Sequence, residues 1–418
     1  MYVSVRDRPA TGAARPPVPG KRRVAPIVVT LGLVSLLTDV SSESVAAILP
    51  LYLTATVGLS TVAYGFVDGI YQGVSSLVRV VGGFAADRGG HPKWVALAGY
   101  LISCVSRFVL LLATGLGAIS AVIAADRIGK GLRTAPRDAM IAAASPPDQL
   151  GRAFGVHRTL DTIGAVLGPL VAFSLLWWIP DGFHAVLLVS FGFAVLGVAL
   201  LGLLVSDRET RVREHATREP FHWRALADPR LTRLLVVAGG LALLTVGDGF
   251  VYLALLDRGG FATHWFPLMY VGTNIAYLAL AVPLGRLADR VGRARVVVGG
   301  HVALAAAYLV VAAPMTTTTS TLAALALLGT FYAATDGVVA ALAGGIVDPG
   351  ARASGIAAAQ STVAVARMAS SAGFGILWFA LGPATALVVV ATVLGAALPA
   401  AHFALRGLDR PLLTGATP

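Results

Sequence analysis

From Pro26 onward, apolar stretches of about twenty residues alternate with short polar connections. Stretches of that length exceed an ordinary core helix and match the thickness of a lipid hydrocarbon layer. The pattern predicts twelve membrane-spanning helices, at 26–50, 61–85, 94–114, 118–144, 151–178, 183–205, 232–256, 263–287, 295–313, 319–345, 355–379 and 383–405. Two of these runs, Phe183 to Val205 and Thr385 to Leu405, contain no Asp, Glu, Lys or Arg. The expected fold class is therefore an all-α polytopic membrane protein.

Composition agrees. Of the 418 residues, 56% are hydrophobic and 13% charged, against about 25% charged in a typical soluble domain. The net charge of +11 would fit a nucleic-acid binder, but its placement argues against one. Arg79, Arg107, Arg127, Lys130, Arg133, Arg137 and Arg367 lie deep inside spans. Most other Lys and Arg gather in alternate inter-span segments, at their flanks and in the two tails, with Arg258 on the opposite side. That asymmetry is the positive-inside pattern, and it predicts that both termini are cytoplasmic. Residues 1–23 are polar and rich in Pro, Gly and Arg, without the apolar core of a signal peptide, and read as a disordered tail. Residues 206–231 are charged and hydrated, a linker between a first bundle (24–205) and a second (232–406), with a tail at 407–418.

The charge sorting decides the fate of residues 124–140, AADRIGKGLRTAPRDAM. If this stretch were a loop, every later segment would change sides and the basic linker would lie outside. It is therefore expected to be helical and to cross the membrane. At 100° per residue Asp126, Lys130, Arg133 and Arg137 fall within about 60° of one another, with Arg127, Gly131 and Asp138 on a neighbouring face. Each charge facing lipid would cost roughly 2.5–3.5 kcal/mol. These residues must instead face water, other helices or one another. They form either an ion-pair network or a cationic wall against substrate, and the sequence leaves both open. Asp39 and Glu43 sit four residues apart on the first span, candidate partners for that face, for proton coupling or for substrate. Asp68, Asp161, Asp248 and Asp336 are the other intramembrane acids, and Tyr270, Asn274 and Tyr332 are candidate pocket residues.

The chain also repeats itself. GGFAADRGGHPK (82–93) and LGRLADRVGRAR (284–295) align, as do DQLGRAFG (148–155) and DPGARASG (348–355), both about 200 residues apart. Two matches at nearly one offset indicate a duplication of six spans, a parallel-repeat architecture used by transporters. The repeated loop resembles the G-x-L-A-D-R-x-G-R-K motif of the major facilitator superfamily, here Gly285, Leu287, Ala288, Asp289, Arg290, Gly292 and Arg293 in the second half. The first copy keeps Gly83, Ala86, Asp87, Arg88 and Gly90, with Ala85 in place of Leu and His91-Pro92-Lys93 in place of Arg-Lys. Gly164, Gly168 and Pro169 are similar to the G-x-x-x-G-P element of proton-coupled drug antiporters in that superfamily, and Arg127 with Gly131 to their R-x-x-x-G element.

The resemblance implies two pseudo-symmetric six-helix bundles whose spans 1, 4, 7 and 10 line a central cavity. It implies a cytoplasmic latch at Gly83, Asp87, Arg88, Gly90, Gly285, Asp289, Arg290 and Gly292, the alternative being a loop ordered by local ion pairs. It places Asp39, Glu43, Arg127, Lys130, Arg133, Arg137, Asp138, Asp248 and Asp336 among the coupling and cavity residues. The Gly164-Gly168-Pro169 face serves either tight packing or a hinge. The expected function is proton-coupled export of a small organic or drug-like molecule by alternating access, and the alternative is import of an anionic solute along the basic fourth helix. The partners are then the small-molecule substrate, protons and membrane lipid, with no nucleic acid and a monomer as the default. The Ala-, Gly- and Arg-rich composition, with Lys21, Lys93 and Lys130 as the lysines, points to a bacterial inner membrane. The lone Cys104 and the scattered histidines suggest no disulfide and no metal site, and no cofactor is expected. No H-E-x-x-H, G-x-S-x-G or P-loop spacing points to an enzyme or to ATP-driven transport.

Overall fold

The computed structural model describes residues 24–89, 91–146, 149–206, 227–314, 318–348 and 351–409, without the side chains of 79–89. The twelve expected spans are helical. We label them α1 (Pro26–Ala46), α2 (Thr61–Gly89), α3 (Pro92–Leu110), α4 (Gly115–Ala143), α5 (Leu150–Trp178) and α6 (Phe183–Leu204). The second six are α7 (two pieces, Pro229–Ala242 and Asp248–Gly259), α8 (Phe266–Val291), α9 (Arg293–Ala312), α10 (Thr318–Ile346), α11 (Arg352–Leu381) and α12 (Pro383–Leu405). Among the described residues, nine helical stretches are long and apolar enough to cross a membrane by themselves. The remaining three are α2, which carries Asp68 and Gln72, the charged α4, and the broken α7.

Local chemistry sets several boundaries. Proline opens α1, α3 and α12 where its missing N–H costs nothing. Asp228 caps α7 by accepting from the N–H groups of Arg230 (2.7 Å) and Leu231 (3.4 Å). Arg258, the basic residue that breaks the positive-inside pattern, donates to the carbonyls of Val311 (3.1 Å) and Ala312 (2.7 Å), satisfying the free end of α9.

The seventh span was expected as one helix over 232–256, and here the structure corrects the sequence reading. It unwinds between Ala242 and Asp248, around Thr245, Val246 and Gly247. Backbone groups released in a membrane interior need partners from protein. Tyr308 accepts from the Val246 N–H (2.8 Å), and Ser370 donates to the Thr245 carbonyl (2.9 Å).

The helices pack as two six-helix bundles, α1–α6 and α7–α12. In the first, α1 packs on α5 and α6, and α4 on α2 and α3; in the second, α10 packs on α8 and α9, and α9 on α12. The bundles meet along α2–α11 and α5–α8. Because the passes alternate, Val24 and Asp409 share one face, termed the terminus face, and the opposite one is distal. The α2–α11 seam is tight in its distal half. A Cβ added to Gly65 would lie 2.5 Å from the Ser371 carbonyl, and one at Gly69 would lie 2.7 Å from that of Met368. Small residues thus bring the two backbones together. Tyr64, Phe250 and Phe374 join the bundles on the same side, with ring centroids 4.7 and 5.0 Å apart. Phe173 and Trp177 of α5 meet Trp265 at the mouth of α8 there as well.

Toward the terminus face the cores separate. Ile27, Tyr100, Ile141 and Leu201 form one in the first bundle, and Leu231, Leu342, Ile346 and Leu405 another in the second. Among the described residues, the inter-bundle contacts named above all lie on the distal side. Its perimeter exposes Leu112, Trp178, Leu203, Val236 and Phe379, a surface suited to lipid tails.

Candidate functional site

The seam between α1 and α5 builds the first cluster. Gly164 and Gly168 bring α5 against α1 so closely that a Cβ at Gly168 would lie 2.8 Å from both Glu43 Cβ and the Ser44 nitrogen. A Cβ at Gly164 would lie 3.1 Å from Asp39 Cβ. Pro169 is buried in this face and α5 runs through it without a break. One turn before Gly164, Asp161 neighbours the Asp39 carboxyl across the same seam. Arg137 of α4 reaches into the same place. Its Nη1 donates to Ser35 Oγ (3.1 Å) and lies 3.6 Å from Asp161 Oδ1, while Nε and Nη2 donate to Asp138 Oδ1 at 3.2 and 3.1 Å. Exposed Arg158 reaches Asp161 from the other side, at 3.1 Å. Further along α1, Glu43 Oε1 faces Lys130 Nζ at 3.4 Å, both about one-third exposed.

The expected charged stretch is one helix, α4, continuous through Pro136. Its glycine face lies on α3, where a Cβ at Gly129 would fall 2.6 Å from the Gly99 carbonyl. Asp126 is buried and accepts from Nε (2.9 Å) and Nη2 of its neighbour Arg127, with Arg107 Nη1 of α3 at 3.0 Å. Arg127 also lies over the Tyr71 ring (3.9 Å), and Arg133 over the Tyr100 ring (4.6 Å), cation–π contacts that replace part of the lost hydration. The buried cations of α4 are therefore engaged inside the first bundle, and Lys130 is the one left about one-third exposed.

The second bundle holds a separate cluster. Tyr332 of α10 donates to Asp248 Oδ1 (2.7 Å) at the start of the second piece of α7, and Asp336 Oδ1 stands 3.8 Å from Arg367 Nη2 on α11. At the bundle interface, Ser371 donates to Asp68 Oδ2 (2.6 Å). Beside them a cavity of about 420 Å³ lies between α2, α7, α9, α10 and α11 on the terminus side of the distal seam, with Gln72, Thr245, His301, Asp336, Gln360 and Arg367 in its wall. A smaller recess of about 250 Å³ is lined by Asp248, Tyr252, Tyr270, Asn274 and Tyr332.

Of the sequence-derived residues, Asp39, Glu43, Arg127, Lys130, Arg133, Arg137 and Asp138 gather in the first bundle, while Asp248 and Asp336 belong to the second. Tyr270, Asn274 and Tyr332 do line a pocket. Gly90 and the side chains of Gly83, Asp87 and Arg88 lie outside the described residues. In the second copy of the loop motif Asp289 pairs with Arg293 at 3.2 Å. Gly292 turns with a φ of 105°, and Asp409 accepts from the Arg293 (2.8 Å) and Ala294 (3.3 Å) N–H groups that begin α9. Gly285 has open space around it, and Arg290 is exposed. Asp161, Arg107 and Arg367 carried a signal, an ionisable residue inside a span, yet Arg137, Asp126 and Asp336, which they meet, sit on other helices. Tyr71 and Tyr100 carried none, since aromatic residues are ordinary in spans.

The chain matches the Major Facilitator Superfamily over residues 31–273. It is 31% identical over 291 residues to the uncharacterized MFS-type transporter MJ1317 of Methanocaldococcus jannaschii, covering 67% of this chain and 71% of that one. It is 26% identical over 261 residues to the multidrug resistance protein MdtH of Aeromonas hydrophila subsp. hydrophila, covering 62% and 64%. The fold superposes on the crystal structure of the nucleoside transporter NupG with a TM-score of 0.78 at 16% identity, covering 91% of this chain and 99% of that one. A POT family transporter in complex with 5-aminolevulinic acid superposes with a TM-score of 0.75 at 12% identity, covering 92% and 97%.

Proposed function

The chain belongs to the Major Facilitator Superfamily of membrane transporters, and on that premise we propose that it moves a small organic solute against protons by alternating access. The reading rests on one observation, the neighbouring Asp39 and Asp161 carboxyls on the two sides of the α1–α5 seam with Arg137 3.6 Å from Asp161. A hydrogen bond between two carboxyl groups holds a proton, and its departure leaves two adjacent anions that repel one another and draw on Arg137. That change acts on α5, the helix whose Phe173 and Trp177 meet the second bundle at Trp265. Proton release and bundle rocking thus share one element. The bundles 24–205 and 232–406 rock about the distal seam, with the terminus face and both termini in the cytoplasm of a bacterial cell.

Export is supported by the similarity to proteins named for multidrug resistance and by the Gly164-Gly168-Pro169 seam. Import of an anion along α4 has less support, because Arg127, Arg133 and Arg137 are occupied by Asp126, Tyr71, Tyr100, Ser35 and Asp138.

The test is proton flux in sealed vesicles of purified protein carrying an internal pH dye, challenged with pools of small organic solutes. Solute-triggered proton movement is expected, and it is expected to disappear in Asp39→Asn while solute exchange survives. Undiminished proton movement in that variant would exclude the coupling role.

A further inference from the structure

We propose that the cargo of the 420 Å³ cavity is a small zwitterion, one molecule carrying a carboxylate and an ammonium group a few ångströms apart. The proposal rests on the transporter reading above, and it concerns the second bundle rather than the proton-bearing seam.

The cavity wall is polar, and its described charges are balanced. Among the described residues its ionised side chains are Asp336 of α10 and Arg367 of α11, and Gln72, Thr245 and Gln360 are neutral. His301 commits Nδ1 to the Val297 carbonyl (2.8 Å). The two charges stand 3.8 Å apart, well beyond the 2.7–2.9 Å of a charge-assisted hydrogen bond. Each therefore keeps bonding capacity for a third party. Arg367 Nε is also buried without a hydrogen-bond partner, so the protein by itself leaves this guanidinium incompletely satisfied. The planar guanidinium fork matches the paired oxygens of a carboxylate. Phe331 and Tyr332 hold it in place, their ring centroids 5.9 and 5.5 Å from its central carbon. The Asp336 side chain is half exposed, open to a cation entering from the cavity.

The other acids nearby are already served by internal donors, Asp248 by Tyr332 and Asp68 by Ser371. A lone cation in the cavity would find Asp336 but would sit against Arg367. A lone anion would find Arg367 but would sit against Asp336. A zwitterion meets both, and it separates the loose pair without leaving either charge alone. The volume falls within the range of small-molecule sites, about 300–1,000 Å³.

Matched probes of one body test this: phenylalanine as the zwitterion, its methyl ester as the monocation, its N-acetyl derivative as the monoanion, and the same three forms of alanyl-phenylalanine. Binding to the detergent-purified protein, read by ligand-dependent thermal stabilisation, needs no proton gradient. In at least one series the zwitterion is expected to bind about tenfold or more tighter than either single-charge form. Asp336→Asn should move the preference to the N-acetyl form, and Arg367→Gln to the methyl ester. A wild-type protein that binds the cation or the anion as tightly as the zwitterion, or binds no zwitterion in either series, overturns the proposal without recourse to any variant. Asp39→Asn should preserve the ranking while abolishing proton flux. In the wild-type protein, a lost ranking with intact flux therefore removes this inference alone, and a preserved ranking with no solute-triggered flux removes the coupling reading alone.

Discussion

Replacing Gly164 by alanine is the sharpest test of the α1–α5 seam. The added Cβ would lie 2.5 Å from the Leu36 carbonyl oxygen and 2.9 Å from Leu36 Cα, whereas ordinary contact begins at 3.4 Å. The obstacle is helical backbone, so no rotamer relieves it, and α1 must retreat from α5 by about 0.9 Å, the shortfall at the oxygen. Overpacking of this kind costs about 1–3 kcal/mol. The substitution recovers up to about 1 kcal/mol of helix propensity. Gly192→Ala on α6, with nothing within 4 Å of the added atom, gains that propensity without the clash. The helix propensity gained is common to both and cancels, so the two variants should differ by about 1–3 kcal/mol in resistance to SDS-driven or thermal unfolding, with Gly164→Ala the weaker. Because the same retreat carries Asp39 away from Asp161, proton flux in vesicles should fall in Gly164→Ala and persist in Gly192→Ala. Equal stability of the two proteins would refute the claim that Gly164 is required for close approach.

Removing the Asp126 carboxylate by Asp126→Asn should destabilise the fold by about 3–5 kcal/mol, measured by the same unfolding assay, since Arg107 and Arg127 would be left buried without their counter-charge. Lys130→Gln should cost less than about 1 kcal/mol, because its pair with Glu43 is long and partly hydrated; a larger loss would mean that this contact holds α4 to α1. Tyr332→Phe deletes the donor to Asp248 and should cost about 1–3 kcal/mol, and solute exchange measured alongside reports whether the recess it lines is used.

Much of the architecture was legible because lipid permits few solutions. Long apolar runs must be helices, the Lys and Arg asymmetry orders them, and the duplicated Gly-Ala-Asp-Arg loop divides them into six and six. The same reasoning placed the charged 124–140 stretch inside a helix, as found. Other features were hidden. The break in α7 follows from the hydroxyls of Tyr308 and Ser370, which stand ready on other helices to bond the freed backbone. Hydropathy registers only the composition of the span itself.

The sequence alone thus determined the class, the number of passes and the inventory of intramembrane charges, each a consequence of transferring one residue at a time from water to lipid. Tertiary structure decided who meets whom. Gly164 and Gly168 bring Asp161 to Asp39, Arg107 takes Asp126 from the expected wall of α4, and Asp336 with Arg367 stands apart in the second bundle. Such pairings depend on the rotation and separation of helices that are distant in the chain, quantities to which the periodicity of any one span is blind.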